Sequence, residues 1–270
     1  MSDTHLETTL GRTDRRVCRL GLSASYRPGE ETVRYAFSNG VNYFFAYGFD
    51  GQMVRGLRDV MKTHRSEVVL ATGAYNFIVG HSNIRKACEQ RLRQYGTEYL
   101  DVLMFLGVMK EKEFPQAVLE EMLKLRSEGK TRWIGISTHN RKFAGQLAEQ
   151  GILDVLMIRY NAAHRGAEQD IFPHCGSHDP GIVSYTATRW TGLLRRPRGW
   201  PKETPLPPAG MAYRFVLSNP SVDVVLTAPK NRKEFEQNLA AVQEGPLSSD
   251  EMRLMREFGD AVYRRRKWFM

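Results

Sequence analysis

One feature constrains this chain more than any other: a repeated alternation. Short apolar, β-branched runs are each followed by a segment with helical spacing, with one long loop intervening. The predicted strands fall at 19–24, 43–47, 68–72, 101–106, 133–137, 154–160, 181–187 and 222–227. Strands that read as near-continuous apolar runs are those buried on both faces, as in a parallel sheet covered by helices. Eight such strands with their helices close into a (β/α)8 TIM barrel of about 250 residues. The 270-residue length therefore holds a single barrel domain over 1–270, with small additions. An open doubly wound sheet would need a glycine-rich phosphate turn after the first strand, and Gly21-Leu22-Ser23-Ala24-Ser25 lacks that spacing.

The helical segments are set by their spacing. After the third strand, Ile84, Cys88, Leu92 and Tyr95 line one stripe while Arg85, Lys86, Glu89 and Arg93 face water. After the fourth, Val118, Met122 and Leu125 share a face. Gly40, Gly96, Gly129 and Gly151 stand where helices are expected to stop. Ser248 and Glu251 have capping-box spacing and open an extra C-terminal helix running toward Tyr263. Two pieces lie outside the barrel units. The polar stretch 8–17, centred on Gly11-Arg12-Thr13-Asp14, is predicted to be an N-terminal hairpin capping the barrel bottom. The loop 190–210, rich in Pro and Arg, is long enough to serve as a functional flap.

Composition narrows the function classes. With 41% hydrophobic and 26% charged residues the chain is neither disordered nor collagen-like. Its longest apolar run, 102–109, is far short of the ~20 residues of a membrane span, so no membrane association is expected. The opening Met1-Ser2-Asp3-Thr4-His5 has no cationic segment followed by an apolar one, so no secretory signal is expected. Cys18, Cys88 and Cys175 are too few and too scattered for a disulfide framework, and reduced thiols in the cytoplasm are the expectation. The net charge of +9 fits nucleic acid, an acidic surface or an anionic small molecule. The basic runs Arg195-Arg196-Pro197-Arg198 and Arg264-Arg265-Arg266-Lys267 are not interleaved with aromatics as a nucleic-acid surface requires, so no nucleic-acid partner is expected. His174-Cys175-Gly176-Ser177-His178 has the residue types of a zinc site but lies away from the barrel mouth without a fourth ligand, and no metal is expected.

Several motifs in order resemble the aldo-keto reductase superfamily. They are Leu10-Gly11-Arg12-Thr13 with Arg19-Leu20-Gly21-Leu22, Gly40-Val41-Asn42-Tyr43-Phe44 and Tyr99-Leu100-Asp101-Val102-Leu103. Gly129-Lys130-Thr131-Arg132-Trp133-Ile134-Gly135-Ile136-Ser137 and Tyr160-Asn161 follow, then Glu236-Gln237-Asn238-Leu239-Ala240-Ala241 with Gly245-Pro246-Leu247-Ser248. The resemblance implies a (β/α)8 barrel that binds NADP(H) in an extended pose and reduces carbonyls. It also implies a Tyr that donates the proton, a Lys and an Asp that tune it, and a His that orients the substrate. An unassisted Tyr, with a pKa near 10, is a poor proton donor at neutral pH.

Against that pattern the sequence departs. Phe45 stands where the family has its Asp, Gly73 where it has its Lys and Leu106 where it has its His; Tyr47 matches the Tyr only across a short deletion. The cofactor strip is partly kept. Ser137 and Tyr185 match positions that hold and stack on the nicotinamide and Asn238 matches an adenine-side Asn, while Lys230, Arg232 and Lys233, just after the eighth strand, have the chemistry to take a 2′-phosphate. Thr138, Met157 and Gln237 replace the usual Asn, Gln and Glu.

Polar residues at the C-terminal ends of barrel strands read as site residues. This adds Tyr75 and Asn76, His139 and Asn140, Arg159, Asn161 and His164, and Thr188, Arg189 and Trp190. Two arginines and two histidines near one mouth predict an electropositive cleft for an anionic or carbonyl-bearing small molecule. The expected catalytic set is Tyr47, His139, His164 and Arg159, and the expected cofactor contacts are Ser137, Tyr185, Arg189, Lys230, Arg232 and Asn238. Arg159 reads equally well as a buried arginine paired with a carboxylate, and Trp190 as packing for the flap. Three readings stay open: an NADP-dependent oxidoreductase with a rearranged acid-base set, a catalytically silent barrel that binds a dinucleotide or anion, and a non-redox lyase or isomerase.

Overall fold

A computed structural model describes residues 5–48, 50–75 and 83–265. Eight parallel strands close into a barrel: β3 (Leu20–Ser23), β4 (Tyr43–Phe45), β5 (Val69–Tyr75), β6 (Leu100–Val108), β7 (Thr131–Thr138), β8 (Val155–Arg159), β9 (Gly181–Tyr185) and β10 (Val224–Thr227), with β10 paired back to β3. The principal helices are α1 (Glu30–Ser38), α2 (Gly51–His64), α3 (Ile84–Tyr95), α4 (Gln116–Ser127), α5 (Arg141–Gln150), the short α6 (Ala167–Asp170), α7 (Ala209–Leu217), α8 (Arg232–Gln243) and α9 (Ser249–Arg265). The hairpin β1 (Glu7–Thr9) and β2 (Arg16–Cys18) is antiparallel. Its Leu10 and Val17 join the inner cluster of the barrel and plug its lower end.

The period-two alternation of side chains divides each strand between two cores. Tyr43, Phe45, Val69, Ala71, Met104, Leu106, Met157, Val183 and Leu226 fill the barrel interior. Their chain neighbours, among them Phe44, Leu70, Leu103, Phe105, Ile158 and Ile182, pack outward under the helices. At the lower end the fully buried Asp101 accepts from the Leu70 amide at 3.0 Å and pairs with Arg65 at 2.8 Å. Arg65 also lies 3.8 Å above the Tyr99 ring, so this carboxylate is both paired and hydrogen-bonded, the condition for tolerating a buried charge.

Most helix boundaries follow the sequence signals. Gly96 and Gly151 cap α3 and α5 in the left-handed conformation that glycine adopts without strain. Ser248 and Glu251 exchange the two bonds of a capping box at the start of α9. One helix face differs from expectation. The buried stripe of α3 is Ile84, Ala87, Cys88, Arg91 and Tyr95, and Leu92 is only partly buried. The stripe continues by steps of three and four through Arg91, so helical geometry carries a charged residue inward where apolarity alone had pointed to Leu92.

Candidate active site

The C-terminal ends of the strands surround a cavity of about 460 Å³. Its floor is apolar: Phe45, Leu106, Met157 and Leu226 close it from below. Phe45 and Leu106 occupy the levels at which the family resemblance places an Asp and a His. At the third such level, Gly73 stands between the inward-facing Ala71 and Tyr75. A Cβ on Gly73 would overlap the carbonyl oxygen of Met104 on the neighbouring strand. The present spacing of β5 and β6 therefore has no room for a side chain at Gly73.

Above the floor the walls carry phenols and hydroxyls. Tyr47 follows β4 and its phenol lies 2.8 Å from the Ser25 hydroxyl, which in turn lies 3.4 Å from that of Ser23. Its ring stacks on Tyr75, with centroids 5.9 Å apart and planes 21° apart, and meets Phe45 edge-on at 5.1 Å. Burial pushes the Tyr47 phenol above its usual range, while the bonds from Ser25 and Ser23 pull the other way. Across the cavity the Tyr185 phenol stands 3.0 Å from His139 Nε2 and is bonded by Ser137. Burial, aided by the charge of Arg159, pushes His139 down to about 4. The imidazole is therefore neutral at pH 7, and its Nε2 shares a hydrogen bond with the Tyr185 hydroxyl. At the rim Tyr26 and Trp190 meet edge to face, 6.1 Å apart, bridging the loops after β3 and β9. The second of these loops bends sharply: Thr186, Arg189, Trp190 and Thr191 all have positive φ. Non-glycine residues adopt this conformation at a cost, and runs of it cluster where ligands bind.

The sequence-selected residues divide into two groups. Tyr47, Tyr75, Ser137, His139, Tyr185, Thr188 and Trp190 line the cavity. Asn140, Arg159, Asn161, His164, Arg189, Lys230, Arg232, Lys233 and Asn238 do not, and Asn76 lies outside the described residues. His164 closes a tight turn with Asn161 and packs edge-on against Tyr263 of α9. Burial and the charges of Arg159, Arg189 and Arg141 push it to about 4. The guanidinium of Arg232 is held by Glu31 and Glu236 and lies 3.9 Å over the Tyr35 ring, so its charge is largely neutralised before any phosphate arrives. Asn238 is buried and donates to Thr227, which donates to Tyr213. Lys230 and Lys233 remain exposed beside α8.

The two arginines and two histidines do gather near this mouth: Arg159 is in register with Tyr185 and acts electrostatically on His139 and Tyr185, and Arg159 and Arg189 act on His164. Among the described residues, however, no charged side chain lines the cavity itself, and both histidines are neutral at pH 7. The site is aromatic and hydroxyl-rich. Ser23, Ser25, Tyr26 and Tyr213 also belong to it and escaped the sequence reading. Ser23 ends the first barrel strand and Ser25 and Tyr26 follow it, so the strand-end rule selects them once hydroxyls are weighed alongside charged and amide groups.

The aldo/keto reductase family profile matches residues 22–199, about two thirds of the chain. The chain belongs to the aldo/keto reductase family. This member is 25% identical to L-galactose dehydrogenase of Arabidopsis thaliana, with 87% of each chain covered. It is 28% identical to the methylglyoxal reductase YeaE of Escherichia coli over 54% of this chain and 52% of that one. Among solved structures, an aldo-keto reductase of Bacillus halodurans in its holo form superposes with a TM-score of 0.78 at 21% identity, covering 94% of this chain and 96% of that one. One from Klebsiella pneumoniae, in complex with NADP and acetate, superposes with a TM-score of 0.76 at 22% identity, covering 94% and 95%. At these identities the superpositions speak for the barrel, while the profile match speaks for the family and its oxidoreductase character.

The two depressed histidines make an acid-stability prediction. Each is neutral in the fold down to about pH 4, while the unfolded chain binds the proton near pH 6.5. Their contribution is complete above pH 6.5 and is lost as the pH falls toward 4. With allowance for partial solvation, each is worth on the order of 2 kcal/mol. Urea unfolding of wild type and His164→Gln between pH 7 and pH 4 measures this. The variant is expected to lose less stability over that interval, and parallel curves would show that His164 is not responsible.

Proposed function

We propose that this chain binds NADP(H) at the barrel mouth and acts as an oxidoreductase on a neutral carbonyl compound with apolar or aromatic faces. The observation that carries this reading is the cavity edge formed by Ser137, Tyr185 and Thr186. Tyr185 presents a ring held in place through His139, Ser137 offers a hydroxyl beside it, and Thr186 Oγ1 is buried without a hydrogen-bond partner among the described residues. That combination fits a flat, amide-bearing ring. Met157 is the weak point of the fit, because a thioether is a poor partner for an amide. Bound there, the nicotinamide supplies the hydride chemistry.

The chain's own residues do the remainder. Tyr185 and Ser137 orient the ring. The apolar floor keeps water from the reacting carbon. Tyr47, bonded to Ser25, holds a proton at its phenol oxygen, and Tyr75 walls the same side. Lys230 and Lys233 beside α8 offer positive charge to a 2′-phosphate, a role that Arg232 fills poorly while its two carboxylates hold it. A neutral lining favours an uncharged substrate, since a buried anion without a partner is strongly disfavoured.

The apolar floor also favours a second reading, in which the barrel binds the dinucleotide without turning it over. One experiment separates the outcomes. Titration with NADPH, followed by quenching of intrinsic fluorescence and by calorimetry, is expected to saturate; absence of binding at millimolar cofactor overturns the proposal. Where binding occurs, loss of NADPH absorbance that depends on an added aromatic aldehyde identifies the oxidoreductase. Binding without consumption across aldehydes and ketones identifies the silent barrel.

A further inference from the structure

Behind Tyr47 lies a group of buried polar side chains that the cavity does not use. Arg91 of α3 is 2% exposed, among the least accessible large side chains in the chain. Its guanidinium packs flat on Gly48, so closely that a Cβ at that position would overlap its Cζ. Gly48 has φ +91°, a conformation glycine alone adopts freely, so both the turn and the packing require this residue. The Gly48 carbonyl accepts from Arg91 Nη1 at 3.4 Å and from the Gln94 amide, and Gln94 Oε1 accepts from the same guanidinium at 2.9 Å. The Gly48 amide donates to Asp50 Oδ1 at 2.9 Å. The residue after Tyr47 is thus gripped at its N–H by a carboxylate and at its C=O by a cation.

The two charges also act on each other and on the phenols. Burial disfavours the charged form of each, and each offsets part of the other's penalty. Asp50 bears electrostatically on both Tyr47 and Tyr75, and Arg91 on Tyr75. Besides Asp50, the polar groups facing the Tyr47 phenol are Ser25, Ser23, Tyr26, Tyr75 and Tyr185. An isolated buried guanidinium is costly. In this fold a buried guanidinium, bonded to Gly48 and Gln94, is packed against the residue that follows Tyr47.

We propose that Asp50 and Arg91 are positioning residues for Tyr47: they clamp the Gly48 peptide from opposite ends and hold the phenol toward the cavity in a field set by a buried pair of opposite charges. The proposal rests on Tyr47 as the proton donor. Its test needs neither cofactor nor substrate, so failure of NADPH binding and failure of the clamp are distinguishable.

The experiment uses the full chain labelled with [13Cζ]tyrosine, the Tyr47 resonance being assigned with Tyr47→Phe. Asp50→Asn removes the charge and keeps an acceptor for the Gly48 amide, whereas Asp50→Ala removes both. Both are expected to lower the Tyr47 titration midpoint by about half a pH unit or more. Only Asp50→Ala is expected to speed hydrogen exchange at the Gly48 amide, by about tenfold. Arg91→Met is expected to raise the midpoint, and Arg91→Lys to return it toward wild type. Tyr185, across the cavity, is expected to stay put and serves as the control. Folded Asp50 variants with an unmoved Tyr47 midpoint overturn the proposal, as does a shift of equal size at Tyr185. If Arg91→Met does not fold, the two Asp50 variants still decide.

Discussion

Gly73→Lys, the substitution that restores the lysine of the family pattern, is expected to unfold the barrel rather than to create a conventional reductase. The conflict arises at Cβ, before any ammonium group is considered. A Cβ on Gly73 would overlap the Met104 carbonyl oxygen and crowd its carbonyl carbon, and these are backbone atoms of the adjacent strand. Gly73 and Met104 are registered partners in a parallel ladder that runs from Ala71 to Tyr75. Relief would require β5 and β6 to separate along that ladder, breaking hydrogen bonds at the centre of a closed barrel. Overpacking a core costs about 1–3 kcal/mol where side chains can give way, and backbone cannot give way as they do. A loss of about 3 kcal/mol or more is expected for Gly73→Ala already, and Gly73→Lys adds a buried ammonium between Phe45 and Leu106. Urea unfolding of the alanine variant measures the steric part alone. An alanine variant as stable as wild type would show that the strands can separate and that the missing lysine is a matter of side-chain choice.

The barrel was legible because its signal is distributed. Apolar strand runs alternate with helical segments eight times, and no single position has to be read correctly. Phe45, Gly73 and Leu106 came instead from the motifs of the family resemblance, and they lie within β4, β5 and β6. The site was less legible, because its chemistry depends on contacts between residues distant in sequence. Composition and strand-end position put Arg159, Arg189, His139 and His164 into one cationic cleft. The structure turns His164 toward Tyr263 and sets His139 against Tyr185, and desolvation leaves both imidazoles neutral. Nothing local to Arg232 announces that Glu31, 201 positions away, will hold it. Arg91 was not singled out at all: it sits on the apolar stripe of α3, and its room inside comes from Gly48, far away in sequence.

Tyr47→Phe is expected to lower kcat by about 10²–10³-fold while leaving KM and folding stability nearly unchanged, the range in which positioned general acids contribute. Removing one hydroxyl leaves the ring's stacking on Tyr75 and its edge contact with Phe45 in place. It deprives Ser25 of one hydrogen-bond partner, which the adjacent Ser23 hydroxyl can replace in part. The loss would therefore fall on proton delivery. The alternative proton donors lead to different outcomes. If the Tyr185–His139 pair delivered the proton, Tyr47→Phe would be nearly silent and His139→Gln would carry the loss. If Tyr75 did so, Tyr75→Phe would carry it instead. A solvent deuterium isotope effect on single-turnover NADPH oxidation adds a second readout: it should be present in wild type and change in the variant that removes the donor. The substrate to use is one that the neutral, aromatic lining admits, an uncharged aromatic aldehyde. Charged analogues of the same size are expected to bind less well to wild type and variant alike, because the lining itself carries no charged side chain among the described residues.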